Sequence, residues 1–225
     1  MDDLLSEKEQ WEALKGWLKE NGAWIVGGLA LGALGISGWR WWEARQDRIG
    51  LEASAKYEQI LDAFDRGDRT QALTSIGELE REYGSSPYVD QAHLAEARIN
   101  VQSGQLDKAA STLQRVMEGT RDPQLALIAR LRLARVQMAQ NKFDAALDTL
   151  DAAKDPGAFA SRYSEVRGDI YFAKGDKAAA LKEYRAARES AARGSVDTEL
   201  LDLKIKDLSS AAGPSATGPS ATGNK

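Results

Sequence analysis

Arginines and carboxylates are the side chains of this 225-residue sequence best placed to do chemistry, and the chemistry they support is recognition of charge on another molecule. Arg98 and Arg135 recur 37 residues apart, each six positions before a turn residue. That spacing would set two guanidiniums along one surface, where they can clasp a carboxylate. Nucleophiles and metal ligands are scarce. There is no cysteine, which excludes thiolate catalysis, disulfides and cysteine zinc sites. The single histidine, His93, cannot form a HExxH or multi-histidine metal site, and an ordinary structural role is expected for it. Carboxylates alternate with Lys and Arg as they do on solvated helical faces, and neither a Gly-rich phosphate loop nor a GxSxG elbow occurs. No catalytic, cofactor-binding or metal-binding residue is assigned, and the chain does not read as an enzyme. A net charge of -4 lacks the basic surplus that phosphate contacts with nucleic acid require.

The elements that would carry these arginines repeat along the chain. Gly67, Gly104, Asn141 and Gly175 are each followed five residues later by alanine: Ala72, Ala109, Ala146 and Ala180. Successive turns are 37, 37 and 34 residues apart, close to a tetratricopeptide unit of two antiparallel helices joined by a tight turn. Seven residues before each turn stand Ile60, Ala97, Ala134 and Gly168, and nine after it Ile76, Leu113, Leu150 and Tyr184. Small residues let paired helices approach and larger ones, with the third-before column of Phe64, Val101, Met138 and Phe172, fill the seam. Ile60 breaks the small-residue rule, so the first pair should pack less regularly. The fold class is therefore all-α, about four helix pairs in a tetratricopeptide-like solenoid, capped by a helix over Val196–Leu208.

In such a stack the first helix of each pair lines the concave side, so its periodic positions are the candidate protein-binding groove. Ten, six and three residues before each turn lie Tyr57, Leu61 and Phe64; Leu94, Arg98 and Val101; Leu131, Arg135 and Met138; and Glu165, Asp169 and Phe172. An extended peptide or an amphipathic helix would fit this mostly apolar lining. The Lys/Asn clamp for chaperone C-termini is not recognisable.

Ahead of the repeats, no charged residue falls between Glu20 and Arg40, and Ala23–Trp39 is almost wholly apolar or small. At about 1.5 Å rise per residue this stretch nearly crosses the ~30 Å hydrocarbon core, with Trp24 at one border and Trp39, Trp41 and Trp42 at the other. A cleaved signal peptide fits poorly, because the 22 residues before the span carry six acids and three lysines. Gly28, Gly32 and Gly35 mark a stripe for a transmembrane helix contact. Ser6 and Glu9 form a capping box for a short amphipathic helix, which Asn21-Gly22 should stop. The expected organisation is an N-terminal amphipathic segment over 1–22, a transmembrane helix over 23–42, the repeats with their cap over 43–208, and a disordered tail over 209–225 containing GPSAT twice. Lys8, Lys15 and Lys19 before the span nearly balance Arg40, Arg45, Arg48 and Lys56 after it, so charge alone does not orient it.

Glu20-Asn21-Gly22 before the span, Gly38-Trp39-Arg40-Trp41-Trp42 at its end and the repeat block behind it resemble the YfgM family, the ancillary subunit of the bacterial SecYEG translocon, from Glu7 to Leu208. The resemblance implies a single-pass inner-membrane protein with a cytoplasmic N-terminus and periplasmic repeats. It further implies an adaptor beside the translocon that helps hand secreted proteins to periplasmic chaperones, together with the membrane-bound chaperone PpiD. The alternative it implies is a membrane-tethered regulator that sequesters a stress-response protein, the Rcs response regulator.

Overall fold

A computed structural model describes residues 7–191 and 196–211, and among them there is no strand. The chain divides between Ala55 and Lys56 into two compact units. The first consists of most of helix α1 (Glu7–Asp65), whose most apolar window has a mean hydropathy of 1.4 and buries none of its residues. Leu29, Leu31 and Leu34 are each about 70% exposed, which water would penalise and hydrocarbon would not. By length and composition this helix suffices to cross a membrane.

Helix α1 runs through Asn21-Gly22 instead of stopping there. Asn21 turns its amide back to donate to the Trp17 carbonyl at 3.0 Å, and the apolar residues that follow continue the helical backbone bonding. An Asn-Gly pair ends a helix only where the next residues have somewhere else to bond. Ser6 and the GPSAT tail beyond Ala211 lie outside the described residues.

The second unit begins with Lys56–Asp65 and continues through α2 (Arg69–Tyr83), α3 (Pro87–Gln102), α4 (Leu106–Gly119), α5 (Pro123–Ala139), α6 (Phe143–Asp151), α7 (Ala160–Lys174), α8 (Lys177–Glu189) and α9 (Thr198–Ala211). From α2 to α9 each helix packs on its neighbours in sequence, and the tight turns between them reverse the chain so that successive helices run antiparallel. The capping helix begins two residues later and ends three residues later than Val196–Leu208.

The four turn residues do what their types allow. Gly67, Gly104, Asn141 and Gly175 all adopt positive φ, between 61° and 90°. Each is followed by an N–H that donates to the carbonyl five residues back: Asp68 to Ala63, Gln105 to Asn100, Lys142 to Gln137 and Asp176 to Tyr171, all at 2.8–2.9 Å. This closes the preceding helix through a left-handed residue and lets the next begin at once. The alanines five residues on are completely buried, because the returning helix meets its partner there with room only for a methyl group.

The apolar core is a series of seams between successive helices. Leu94, Leu113 and Val136 belong to the seam of α3, α4 and α5. Leu131, Leu150 and Tyr163 belong to that of α5, α6 and α7. Tyr184, Leu201 and Leu208 close α9 on α8. At the seventh-before column Ile60, Ala97, Ala134 and Gly168 are all buried, and at Gly168 the ring of Tyr184 takes the space a side chain would fill. The third-before column divides: Met138 packs on a seam, whereas Val101 and Phe172 are 41% and 49% exposed and do not fill one. Polar pins supplement the seams. Tyr163 donates to the Leu127 carbonyl at 2.9 Å, and Ser161 to the Ala187 carbonyl at 2.7 Å.

Candidate protein-binding groove

Two starts fix the groove. Ser86 and Asp122 cap α3 and α5 by accepting from the N–H groups of Tyr88 and of Gln124 and Leu125, and Pro87 and Pro123 occupy the first helical turn, where no N–H is needed. From there helical periodicity sets Gln91, Leu94, Arg98 and Val101 in one stripe on α3 and Leu125, Ile128, Arg132, Arg135 and Ala139 in another on α5. Tyr57, Leu61 and Phe64 at the end of α1 complete the wall, with Tyr57 tilted against Tyr88 at 5.7 Å between ring centres.

Two adjoining cavities, of about 380 and about 330 Å³, run along these stripes and share Leu94, Arg98 and Arg132. The Arg98 guanidinium lies 4.6 Å from the centre of the Phe64 ring, a cation–π contact. Arg132, although reached by solvent, has its pKa lowered from the usual arginine value, first by the partial loss of water between the walls and then by repulsion from Arg98 and Arg135. Burial raises the pKa of the Tyr57 hydroxyl against the opposing pull of Arg132. Among the described residues none of the three arginines is ion-paired with a carboxylate. The site can therefore hold apolar groups on either side of a cluster of cationic hydrogen-bond donors.

Of the residues expected in a groove, the structure gathers Tyr57, Leu61, Phe64, Leu94, Arg98 and Arg135. Leu131 is 7% exposed and belongs to the α5–α7 seam, with Met138 half-buried against it. Asp169 and Phe172 line a separate cavity of about 150 Å³ with Tyr184, Lys204 and Leu208. Asp169 accepts there from Tyr184 at 2.9 Å and from Lys204 at 2.7 Å, and Glu165 lies buried between Arg162 and Lys204. Arg132 had not been expected in the groove. Its signal was the pair Arg132 and Arg135, three apart and hence on one face of α5, whereas the tenth-before column selected the inward-facing Leu131. His93 is buried between α2 and α3, its Nε2 3.4 Å from Glu80, and takes no part in the groove. In α1, a Cβ added at Gly28, Gly32 or Gly35 would meet nothing within 4 Å among the described residues.

Residues 15–210 match the model of a tetratricopeptide repeat-like domain. A protein named ancillary SecYEG translocon subunit from Escherichia coli is 33% identical over 190 residues, 84% of this chain and 91% of the relative. One of the same name from Aggregatibacter actinomycetemcomitans is 32% identical over 187 residues, 83% of this chain and 91% of that one. The chain belongs to the family of ancillary SecYEG translocon subunits. Solved structures agree with this family member in fold alone. BtubC from P. vanneervenii superposes with a TM-score of 0.61 at 16% identity, covering 77% of this chain and 78% of that one. A tetratricopeptide repeat protein from Parabacteroides merdae gives 0.56 at 16% identity, covering 72% and 62%. The chain thus combines a helix long and apolar enough to cross a membrane with a tetratricopeptide repeat-like domain.

Proposed function

We propose that this ancillary subunit is anchored in the bacterial inner membrane by α1, with a cytoplasmic N-terminus and periplasmic repeats. It associates there with the SecYEG translocon and binds other polypeptides in the groove of its second unit. Secreted chains leaving the translocon, and the periplasmic chaperones that receive them, PpiD among them, are its partners. No bond is made or broken. The anchor acts by concentration, since a site tethered beside the exit meets each emerging chain at high effective concentration. Gly28, Gly32 and Gly35 offer a neighbouring span a face along which two backbones can come close.

The observation that carries this reading is the open, partly apolar groove with three arginines that pair with no carboxylate among the described residues, in a chain whose relatives are named translocon subunits. Photocrosslinkers placed at Tyr57, Leu61 and Arg98 in intact membranes test it. Adducts with a translocon component or a periplasmic chaperone are expected, and a C-terminal alkaline phosphatase fusion should be active. Adducts only with cytoplasmic proteins, together with an inactive fusion, would overturn the proposal.

A further inference from the structure

Three guanidiniums converge on one stretch of groove, and among the described residues no carboxylate pairs with any of them. This is not for want of carboxylates. Lys56 is paired with Glu78, Arg167 with Asp151, Arg188 with Asp202 and Lys204 with Asp169. The two cavities of the groove, by contrast, are lined by three arginines and by no acid. Arg98 and Arg135 both repel Arg132 there, and an anion brought from outside would relieve that repulsion.

The walls narrow what that anion belongs to. The two cavities meet at Arg98 and Arg132 and extend beyond them in opposite directions, one towards Val101 and Ala139 and the other towards Leu61, Phe64 and Ile128. A free phosphate or a lone carboxylate would occupy the middle and leave both apolar ends wet. A ligand that fills the site carries apolar groups before and after its negative charge, and it repeats them at the spacing of a polypeptide.

We propose that the groove selects acidic amphipathic segments of partner proteins, with glutamate or aspartate side chains held by Arg98, Arg132 and Arg135 and flanking apolar side chains seated in the two cavities. This rests on the groove being the polypeptide-binding site proposed above and names the chemistry it prefers. Charge complementarity of this kind governs which partner is accepted and how fast it arrives, and it weakens with salt.

The test uses the full-length chain in detergent micelles and a fluorescent helical peptide with leucines along one face and glutamates beside them. An otherwise identical peptide has glutamine for glutamate. Wild type should bind the glutamate peptide at least about tenfold more tightly, a preference of about 1.4 kcal/mol, and the preference should shrink as salt rises. Arg98→Gln/Arg132→Gln/Arg135→Gln should abolish the preference, whereas Arg185→Gln, at an exposed position on α8, should leave it intact. Replacing the three arginines with glutamate should invert the preference towards a lysine peptide. Equal binding of the two peptides by wild type overturns the inference without need of any variant. So does displacement of both peptides alike by phosphatidylglycerol vesicles, which would make the groove a lipid site. Co-purification of the translocon with the wild-type chain is scored separately. Its loss overturns the functional reading while leaving the peptide preference to stand or fall alone.

Discussion

Gly168→Ala adds one carbon at the tightest helix approach among the described glycines in helices. The new Cβ would lie 2.5 Å from both Cδ1 and Cε1 of Tyr184, against about 3.5–4.0 Å for an ordinary carbon contact, so the ring must retreat by roughly 1 Å. It has little freedom to do so. Tyr184 is 2% exposed, donates to Asp169 at 2.9 Å and carries the Lys204 ammonium 5.1 Å from its ring centre. Overpacking of this kind costs about 1–3 kcal/mol, and the better helix propensity of alanine returns about 1 kcal/mol. The net destabilisation, up to about 2 kcal/mol, lowers the melting midpoint by up to roughly 8 °C in a domain of this size. Gly77→Ala is the control, because Gly77 is an exposed position inside α2 where an added Cβ meets nothing within 4 Å. That variant should gain about 0.5–1 kcal/mol and melt higher. Both are followed by far-ultraviolet circular dichroism of the full chain in micelles. If Gly168→Ala raises the midpoint as Gly77→Ala does, the contact between α7 and α8 is not as close as described.

Tyr163→Phe removes the hydroxyl bonded to the Leu127 carbonyl and should cost about 1 kcal/mol by thermal melting. Burial pushes the Tyr163 pKa up to about 12 from the ordinary 10. The folded chain thus holds this proton where the unfolded chain has lost it. That contribution to stability is complete below pH 10 and should be lost as pH rises towards 12, which denaturation in wild type and Tyr163→Phe at several alkaline pH values checks. Gly175→Val places a β-branched residue at φ 90° and should destabilise by more than about 1 kcal/mol, whereas Asn141→Gly at φ 61° should be neutral or slightly stabilising, both read as melting midpoints. Lys204→Met deletes the cation that faces Asp169, Glu165 and the Tyr184 ring, so amide hydrogen exchange should quicken over Thr198–Ser210 and stay unchanged in α3 and α5.

The turns were legible in the sequence because they are local. A left-handed residue closing one helix must be glycine or asparagine, and the buried alanine five positions on follows from the geometry of the returning helix. Those two columns identify the pairs without any knowledge of their neighbours. The groove was legible only in part. Arg132 shares a face of α5 with Arg135, but that Leu131 turns inward instead of lining the groove depends on where α7 settles, which its column does not record. For the same reason Asp169 was expected to recognise a partner. In the structure it ties α9 down through Tyr184 and Lys204, residues 15 and 35 positions away. Asn21-Gly22 failed as a stop because an apolar sequence on its far side leaves the backbone nothing better to do than remain helical.

Among the three clusters around α3–α5, α5–α7 and α8–α9, no residue serves two. Each of these clusters is local to two or three successive helices. A client tugging at the α9 end would part Leu201 and Leu208 from α8 while the arginine wall on α3 and α5 stood undisturbed. Load is shed link by link from that end, and the molecule yields under tension by shortening its stack instead of failing all at once.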